Sequence, residues 1–346
     1  MKRQMLAVAM VMALSLGITS AALASSGAGA INLTFPIGAR YNALGEAGTA
    51  LSQDVTSQWW NVGGLGFMPS NPQGYQREVH FMQSSLAQGL ADDIGLYWLG
   101  YAMPMGKVGA LGFNLNYLDM GDQQATNEDG SLSETFHSYM FSIGASYGVR
   151  ISRTLGFGLG VKYFRDELAP ETVLQDDYTG DGSASSFGVD LGLLWKVPTI
   201  RSNIGLTVVN LGPDISHQDA DIQSDPMPRK ATLGWAFSMY SNPQSGLLMV
   251  ADYQVPLYKW DVNDYGFGLD FDYVEYGGGL EWNYMRSLFL RFGYKSAQYG
   301  DIQDTTWGFG VDLNQWVNKG ITFEFAQVPQ AKGLPKVTRF SLAYRF

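Results

Sequence analysis

The chain reads as all-β: a 14-stranded antiparallel transmembrane β-barrel with a short N-terminal helical plug. Three observations predict this fold. Through most of the sequence apolar residues alternate with small or polar ones at a period of two, so each strand has one apolar face. Brief connections alternate with long polar ones along the chain, as they do when hairpins turn at one rim and loop out at the other. Composition agrees, because 42 glycines, 14% aromatic residues and only 16% charged residues suit strands that face lipid and carry interfacial rings.

Residues 1–24 have the layout of an export signal. Lys2 and Arg3 give a basic end, Met5 to Leu16 is apolar, and Ala22-Leu23-Ala24 is a small-residue cleavage site, which places the mature start near Ser25. The apolar run is shorter than the roughly 20 residues that a spanning helix uses. There are no cysteines, which excludes a disulfide framework and a lipid-modified cysteine. The net charge of -10 argues against a nucleic-acid partner, since phosphate binding needs a basic face.

Alternation and breaks place strands at 79–88, 94–103, 108–118, 135–151, 154–164, 186–197, 203–212, 230–240, 246–255, 273–284, 287–296, 306–314, 320–327 and 336–346. Most reach the roughly 9 to 11 residues of a tilted membrane strand. Phe157, Leu159, Val161 and Tyr163 oppose Gly156, Gly158, Gly160 and Lys162, and Leu191 opposes Gly192. The stretch 246–255 has the least contrast between its faces. Short turns fall at 104–107, 152–153, 198–202, 241–245, 285–286 and 315–319, against long connections at 120–134, 165–185, 213–229, 256–272 and 297–305. An even strand count then puts both ends of the chain on the short-turn side.

Charge sorts by end. The long connections hold Asp122, Glu128, Asp129, Glu171, Asp176, Asp177, Asp181, Asp219, Asp221, Asp225, Asp261, Asp264, Asp301 and Asp304. Arg153, Arg201, Arg286 and Lys319 mark the short turns. The acidic loops read as solvated ends or as cation sites, but the run from Asp177 to Gly182 lacks the spacing and closing glutamate of a calcium hand. His80, His137 and His217 have no metal-ligand spacing. Neither a cofactor nor an enzymatic site is expected.

The final strand carries a further signal. Phe346, Tyr344, Leu342, Phe340 and Thr338 share one face, and the terminal aromatic resembles the closing strand of bacterial outer-membrane barrels. That resemblance implies a cell outer membrane location, surrounding lipid, and Phe346 as the signal read by the barrel-assembly machinery.

Residues 25–78 break the strand pattern and precede a barrel over 79–346. Ala43, Ala47, Ala50 and Leu51 have helical spacing, predicting a small-faced helix that lies close to a wall. A ring of this width is too wide for side chains alone to fill, so this segment is the expected plug. Gly156, Gly158, Gly160 and Gly188 would leave room for it. Arg40, Glu46, Asp54 and Asn61 are expected to hydrogen-bond or ion-pair plug to wall, since a buried charge needs a partner.

Phe35-Pro36-Ile37-Gly38-Ala39-Arg40, then Leu44-Gly45-Glu46-Ala47-Gly48-Thr49-Ala50, Asp54 and Trp60-Asn61-Val62-Gly63-Gly64-Leu65 resemble the N-terminal signature of the PorV/PorQ family. These are relatives of the long-chain fatty-acid transporter barrels. The usual Asn-Pro-Ala-Gly of that family stands here as Asn61-Val62-Gly63-Gly64. The resemblance implies motif positions at Arg40, Gly45, Glu46, Asp54, Asn61, Gly64 and Leu65. It also implies a non-enzymatic type IX secretion component. Its extracellular loops would collect secreted proteins by their C-terminal signal domains and pass them to surface-attachment components. A channel for uptake of hydrophobic small molecules is the alternative, distinguished by an apolar pocket above the plug.

Overall fold

The computed structural model describes residues 29–70, 77–87, 91, 93–127, 129–170, 182–217, 224–261, 266–269, 271–298, 301–317 and 320–346. Its strands are β1 Glu78–Ser85, β2 Gly95–Pro104, β3 Ala110–Thr126, β4 Leu132–Arg150, β5 Leu155–Glu167, β6 Ser183–Val197, β7 Ser202–Leu211 and β8 Lys230–Ser241. They continue as β9 Ser245–Asp261, β10 Gly266–Leu269, β11 Glu275–Tyr284, β12 Leu288–Ala297, β13 Ile302–Asp312, β14 Gly320–Val328 and β15 Val337–Arg345. Of these 15 strands, β10 pairs only with β9, and the other 14 form a closed antiparallel ring. The seam is made by β1 and β15 in register from Glu78↔Arg345 to Ser84↔Arg339. Closure satisfies both edges, the condition for a sheet to sit in lipid. No described helix is long and apolar enough to cross a membrane.

Strand facing follows the period of two. On β15, Phe340, Leu342 and Tyr344 are exposed outward, whereas Arg339, Ser341 and Ala343 are buried in the lumen. Toward the long-loop end the outer surface carries adjoining rings of Tyr97, Tyr117, Tyr139, Phe141, Tyr163 and Phe187, with centroids 5.2 to 6.4 Å apart. Toward the short-turn end, Trp235 stacks on Phe237, Trp282 on Tyr284, and Tyr344 on Phe346. Two aromatic belts flanking an apolar band are what the membrane interfaces select.

The structure differs from the sequence expectations in three places. The connection read as 120–134 is mostly strand, since β3 runs to Thr126 and β4 starts at Leu132. Its residues are exposed on both faces, so the polarity contrast that announces a strand is missing. β9 likewise continues to Asp261, and β10 forms inside the expected loop 256–272. The expected helix over Ala43 to Leu51 is instead a single turn, Ala39–Asn42, and a second turn forms at Ser57–Trp60. Positive φ at Gly45 (72°) and Glu46 (61°) ends helical geometry there. The export signal, and loop residues Glu128, Glu171, Asp176, Asp177, Asp181, Asp219, Asp221 and Asp264, lie outside the described residues.

The strand ends meet at the short-turn rim, but the first described residue does not. Gly29 lies near the long-loop rim, packed so closely on Ile215 and Asp225 that a β-carbon there would crowd both. The chain then descends through the lumen before β1 begins. Counting strands locates the barrel's own ends and is blind to a segment folded inside it.

Candidate functional site

The candidate site is the contact between the N-terminal segment and the barrel wall. Its backbone touches the wall where glycines remove side chains. Gly45, at φ 72°, sits against Gly278, and a β-carbon would come 2.6 Å from the Gly278 carbonyl oxygen. At Gly158 a β-carbon would collide with the Val62 carbonyl, and at Gly63 it would lie 2.8 Å from the Gly192 oxygen. These approaches lie on β5, β6 and β11, so the segment spans the lumen from wall to wall. Gly156 also faces Gly63 and Phe67, whereas Gly160 faces Ser146 and Asp190, and Gly188 faces Lys162 and Met227. The last two therefore make room for wall and loop side chains, not for the segment.

Hydrogen bonds repeat this all round. Ala39 N–H donates to Ser341 Oγ at 2.8 Å, and Gly45 N–H to Thr306 Oγ1 at 2.9 Å. Gly48 and Thr49 N–H both donate to Asp252 Oδ2 at 2.9 Å. Gln58 Nε2 donates to the carbonyls of Tyr101 and Phe113, and Asn116 Nδ2 to that of Asn32. These buried donors and acceptors of segment and wall thus satisfy one another.

Charged residues concentrate on β11 to β15. Arg40 makes a two-point pair with Glu281, which also accepts from Arg291 Nε at 2.8 Å, and Arg291 reaches Glu324 at 3.0 Å. Lys295 Nζ lies 2.5 Å from Glu46 Oε2. Arg339 donates 2.5 Å to the Pro36 carbonyl and also binds Asn42 Oδ1. Such cations are tolerable in a lumen only because each meets an anion or a carbonyl.

Among the motif positions, Arg40 and Glu46 thus bridge to the wall, and Asn61 does so through Nδ2 to the Leu193 carbonyl at 3.0 Å. Asn61 also shapes its own turn, its Oδ1 accepting from Gly63 N–H at 3.0 Å. That bond braces the turn from Asn61 to Gly63. Asp54 does not reach the wall. It accepts from Tyr41 Oη at 3.2 Å and from Thr56 N–H at 2.9 Å, tying one turn of the segment to the other. Gly64 lies tight on the Ser52 carbonyl, and Leu65 is fully buried. Phe346 exchanges two backbone hydrogen bonds of 3.0 Å with Arg77, extending the β1–β15 seam by one pair.

The wall partners Glu281, Arg291, Lys295, Asp252 and Glu324 were missed from the sequence, yet they left a trace. Each is a lone charge at a lumen position, as in Leu280-Glu281-Trp282 and Phe323-Glu324-Phe325. A charge bracketed by lipid-facing apolar residues must find a partner inside.

The outer mouth is covered as well. Ile215 and Met227 are fully buried, and Ile215 pairs with Asp225 across the connection after β7. Arg229 ties this hairpin to Asp214 and to the Gly212 carbonyl, and His217 Nε2 lies 2.9 Å from Asp166. A loop expected to be solvated is therefore partly folded inward. Elsewhere at that rim Asp122, Asp129 and Asp301 are exposed and Asp304 is half-buried. The Lys336 ammonium lies 2.9 Å from the Asp304 carboxylate. His80 is buried against Trp98, and His137 lies between Asp119 and Asp122. Among the described residues no cluster of three or more His, Asp or Glu side chains could hold a metal ion.

A closed antiparallel barrel with an apolar outer band, two aromatic belts and a filled lumen is an outer-membrane protein. The chain belongs to the PorV family, whose model, described as type IX secretion system protein PorV, matches residues 28–254. No curated protein matches the chain. Solved structures with this fold include the toluene transporter TbuX of Ralstonia pickettii, at 14% identity and TM-score 0.54 over 89% of this chain and 97% of that one. The toluene transporter TodX of Pseudomonas putida matches at 15% identity and TM-score 0.54, over 88% and 95%. The CymD monoaromatic hydrocarbon channel matches at 14% and 0.59, over 90% and 97%. At such identities the likeness concerns the fold.

Proposed function

We propose that this chain is a non-enzymatic docking barrel of type IX secretion, holding secreted proteins by their C-terminal signal domains at its long-loop rim and passing them to surface-attachment components. The observation that carries this reading is the filled lumen. The segment 29–70 is bonded to strands on every side of the ring, and the loop around Ile215 covers it. A barrel so occupied is a rigid platform that presents loops without leaking solutes. Export to the surface then requires only that cargo be recognised from outside.

Uptake of hydrophobic molecules is the second reading, favoured by the fold shared with hydrocarbon transporters. Against it, the crevice between segment and wall is lined by Gln58, Asn114, Ser142, Ser146, Lys162 and Asp190, beside Leu33, Trp59 and Val161. That lining is largely polar, whereas a hydrocarbon path needs an apolar one. The test is affinity capture of the tagged full-length chain from the cell envelope, paired with toluene uptake into proteoliposomes. Recovery of secreted proteins through their C-terminal domains, without uptake, is the expected result. Uptake above that of empty vesicles, with no such proteins recovered, would replace docking by transport.

A further inference from the structure

The short-turn rim is cationic. Arg77, Lys107, Arg153, Arg201 and Arg286 are exposed there, while the acids at that level, Glu78, Glu281 and Asp312, are buried. Within this rim an open crevice lies between the turns β8–β9 and β11–β12, lined by Ser241, Asn242, Pro243, Met285 and Arg286. The two turns are fastened together, Met285 N–H donating 2.7 Å to the Gln244 carbonyl.

Three features give the crevice a direction. Tyr240, Trp282 and Tyr284 are exposed on the strands just above it, and Tyr240 Oη and Trp282 Nε1 both meet Ser245 Oγ, at 3.0 and 2.9 Å. Arg201, one turn further round, lies 5.8 Å over the outward Phe237 ring, so its charge sits at the edge of the membrane belt. The β11–β12 turn is strained. Within the three-residue connection Met285 to Ser287, Met285 and Arg286 adopt φ of 53° and 54°, a left-handed geometry that Asn or Gly enters at lower cost. Keeping a long apolar and a long cationic side chain in that geometry sacrifices stability for something the side chains do.

From these observations we infer that the crevice binds the headgroup of an anionic phospholipid of the inner leaflet. Arg286 meets the phosphate, the polar groups of Ser241 and Asn242 take up the remaining headgroup oxygens, and the acyl chains lie along Tyr240, Trp282 and Tyr284. A cation ringed by membrane-facing aromatics at the headgroup level matches a lipid phosphate, which arrives with its own apolar tail. The opposite rim, with its exposed aspartates, offers no such match.

The probe is phosphatidylglycerol. Native mass spectrometry of the full-length protein released from nanodiscs of mixed phosphatidylcholine and phosphatidylglycerol should show phosphatidylglycerol retained in preference. Arg286→Gln should weaken that retention about tenfold, which corresponds to about 1.4 kcal/mol. Lys107→Gln, on another turn, should leave it unchanged. The paired change Met285→Asn with Arg286→Gly should raise hairpin stability and still lose the lipid, an outcome a purely structural turn would not produce. Inorganic phosphate should not displace the lipid, because the rings hold its tail. Equal retention of the two lipids by the wild type, unchanged retention in Arg286→Gln, or displacement by phosphate alone would each overturn the assignment.

Discussion

Arg40 and Glu281 meet in a two-point pair, Nε to Oε2 at 2.8 Å and Nη2 to Oε1 at 2.7 Å, and the same carboxylate accepts from Arg291. One wall carboxylate therefore neutralises a cation of the plug and a cation of the neighbouring strand. Glu281→Gln should leave Arg40 without its carboxylate inside the lumen, while Arg291 keeps Glu324, loosening the plug by about 3 kcal/mol. Hydrogen exchange over residues 39–49 should speed up roughly a hundredfold while the barrel keeps its heat-modifiable mobility. Unchanged exchange would mean that the pair is incidental to plug retention.

Leu191 and Gly192 are adjacent on β6 and face opposite ways. Leu191→Arg places a charge toward lipid and should cost on the order of 2 to 4 kcal/mol of folding into vesicles. At Gly192 a β-carbon would lie 2.9 Å from Val62 N and from Gly63 N and would collide with Asn61 Oδ1, so Gly192→Ala should displace the plug instead. Vesicle refolding and plug protection from protease separate the two effects. Equal loss of refolding would mean that the facing is misassigned.

Phe346 adds one backbone pair to a seam already joined from Glu78 to Ser84. Its deletion should leave the folded barrel close to wild-type stability, because the last pair of a strand frays readily. Assembly in cells should nonetheless slow several-fold, with export across the inner membrane intact, if the terminal aromatic is what the assembly machinery reads. A pulse-chase of the heat-modifiable form measures this, and an unaltered rate would remove that role.

Ile215 is fully buried beneath the outer mouth. Ile215→Asp asks the loop to bury a carboxylate without a cation prepared for it, which it should avoid by swinging outward. Protease should then cut within residues 213–229 at least about tenfold faster. Conductance in planar bilayers should stay low, because the plug fills the lumen beneath. A large new conductance would show that the loop, and not the plug, is the seal.

The facing of β5 and β6 was legible because Phe157 to Tyr163, and Phe187 to Trp195, alternate lipid against lumen at every step. The upper parts of β3 and β4 were not, since there both faces meet water. The motif positions could be located but their partners could not. Arg40 and Glu281 are 241 residues apart, and Arg339 and Asn42 are 297 apart. No local pattern reports which lone charge on β11 to β15 will stand opposite a given plug residue.

What the amino-acid order by itself determined was the ring: strand count in the membrane, which rows face lipid, and the aromatic-tipped strand that closes it. Lipid imposes that much, because every backbone group must be paired and every outward side chain must be apolar. Only the tertiary structure decided how the interior is filled. It set the downward course of residues 29–70, the turn that Gly45 and Glu46 force, and the inward fold of the Ile215 loop. Inside the lumen, steric fit and charge pairing between distant segments choose the partner, and neither leaves a period along the chain.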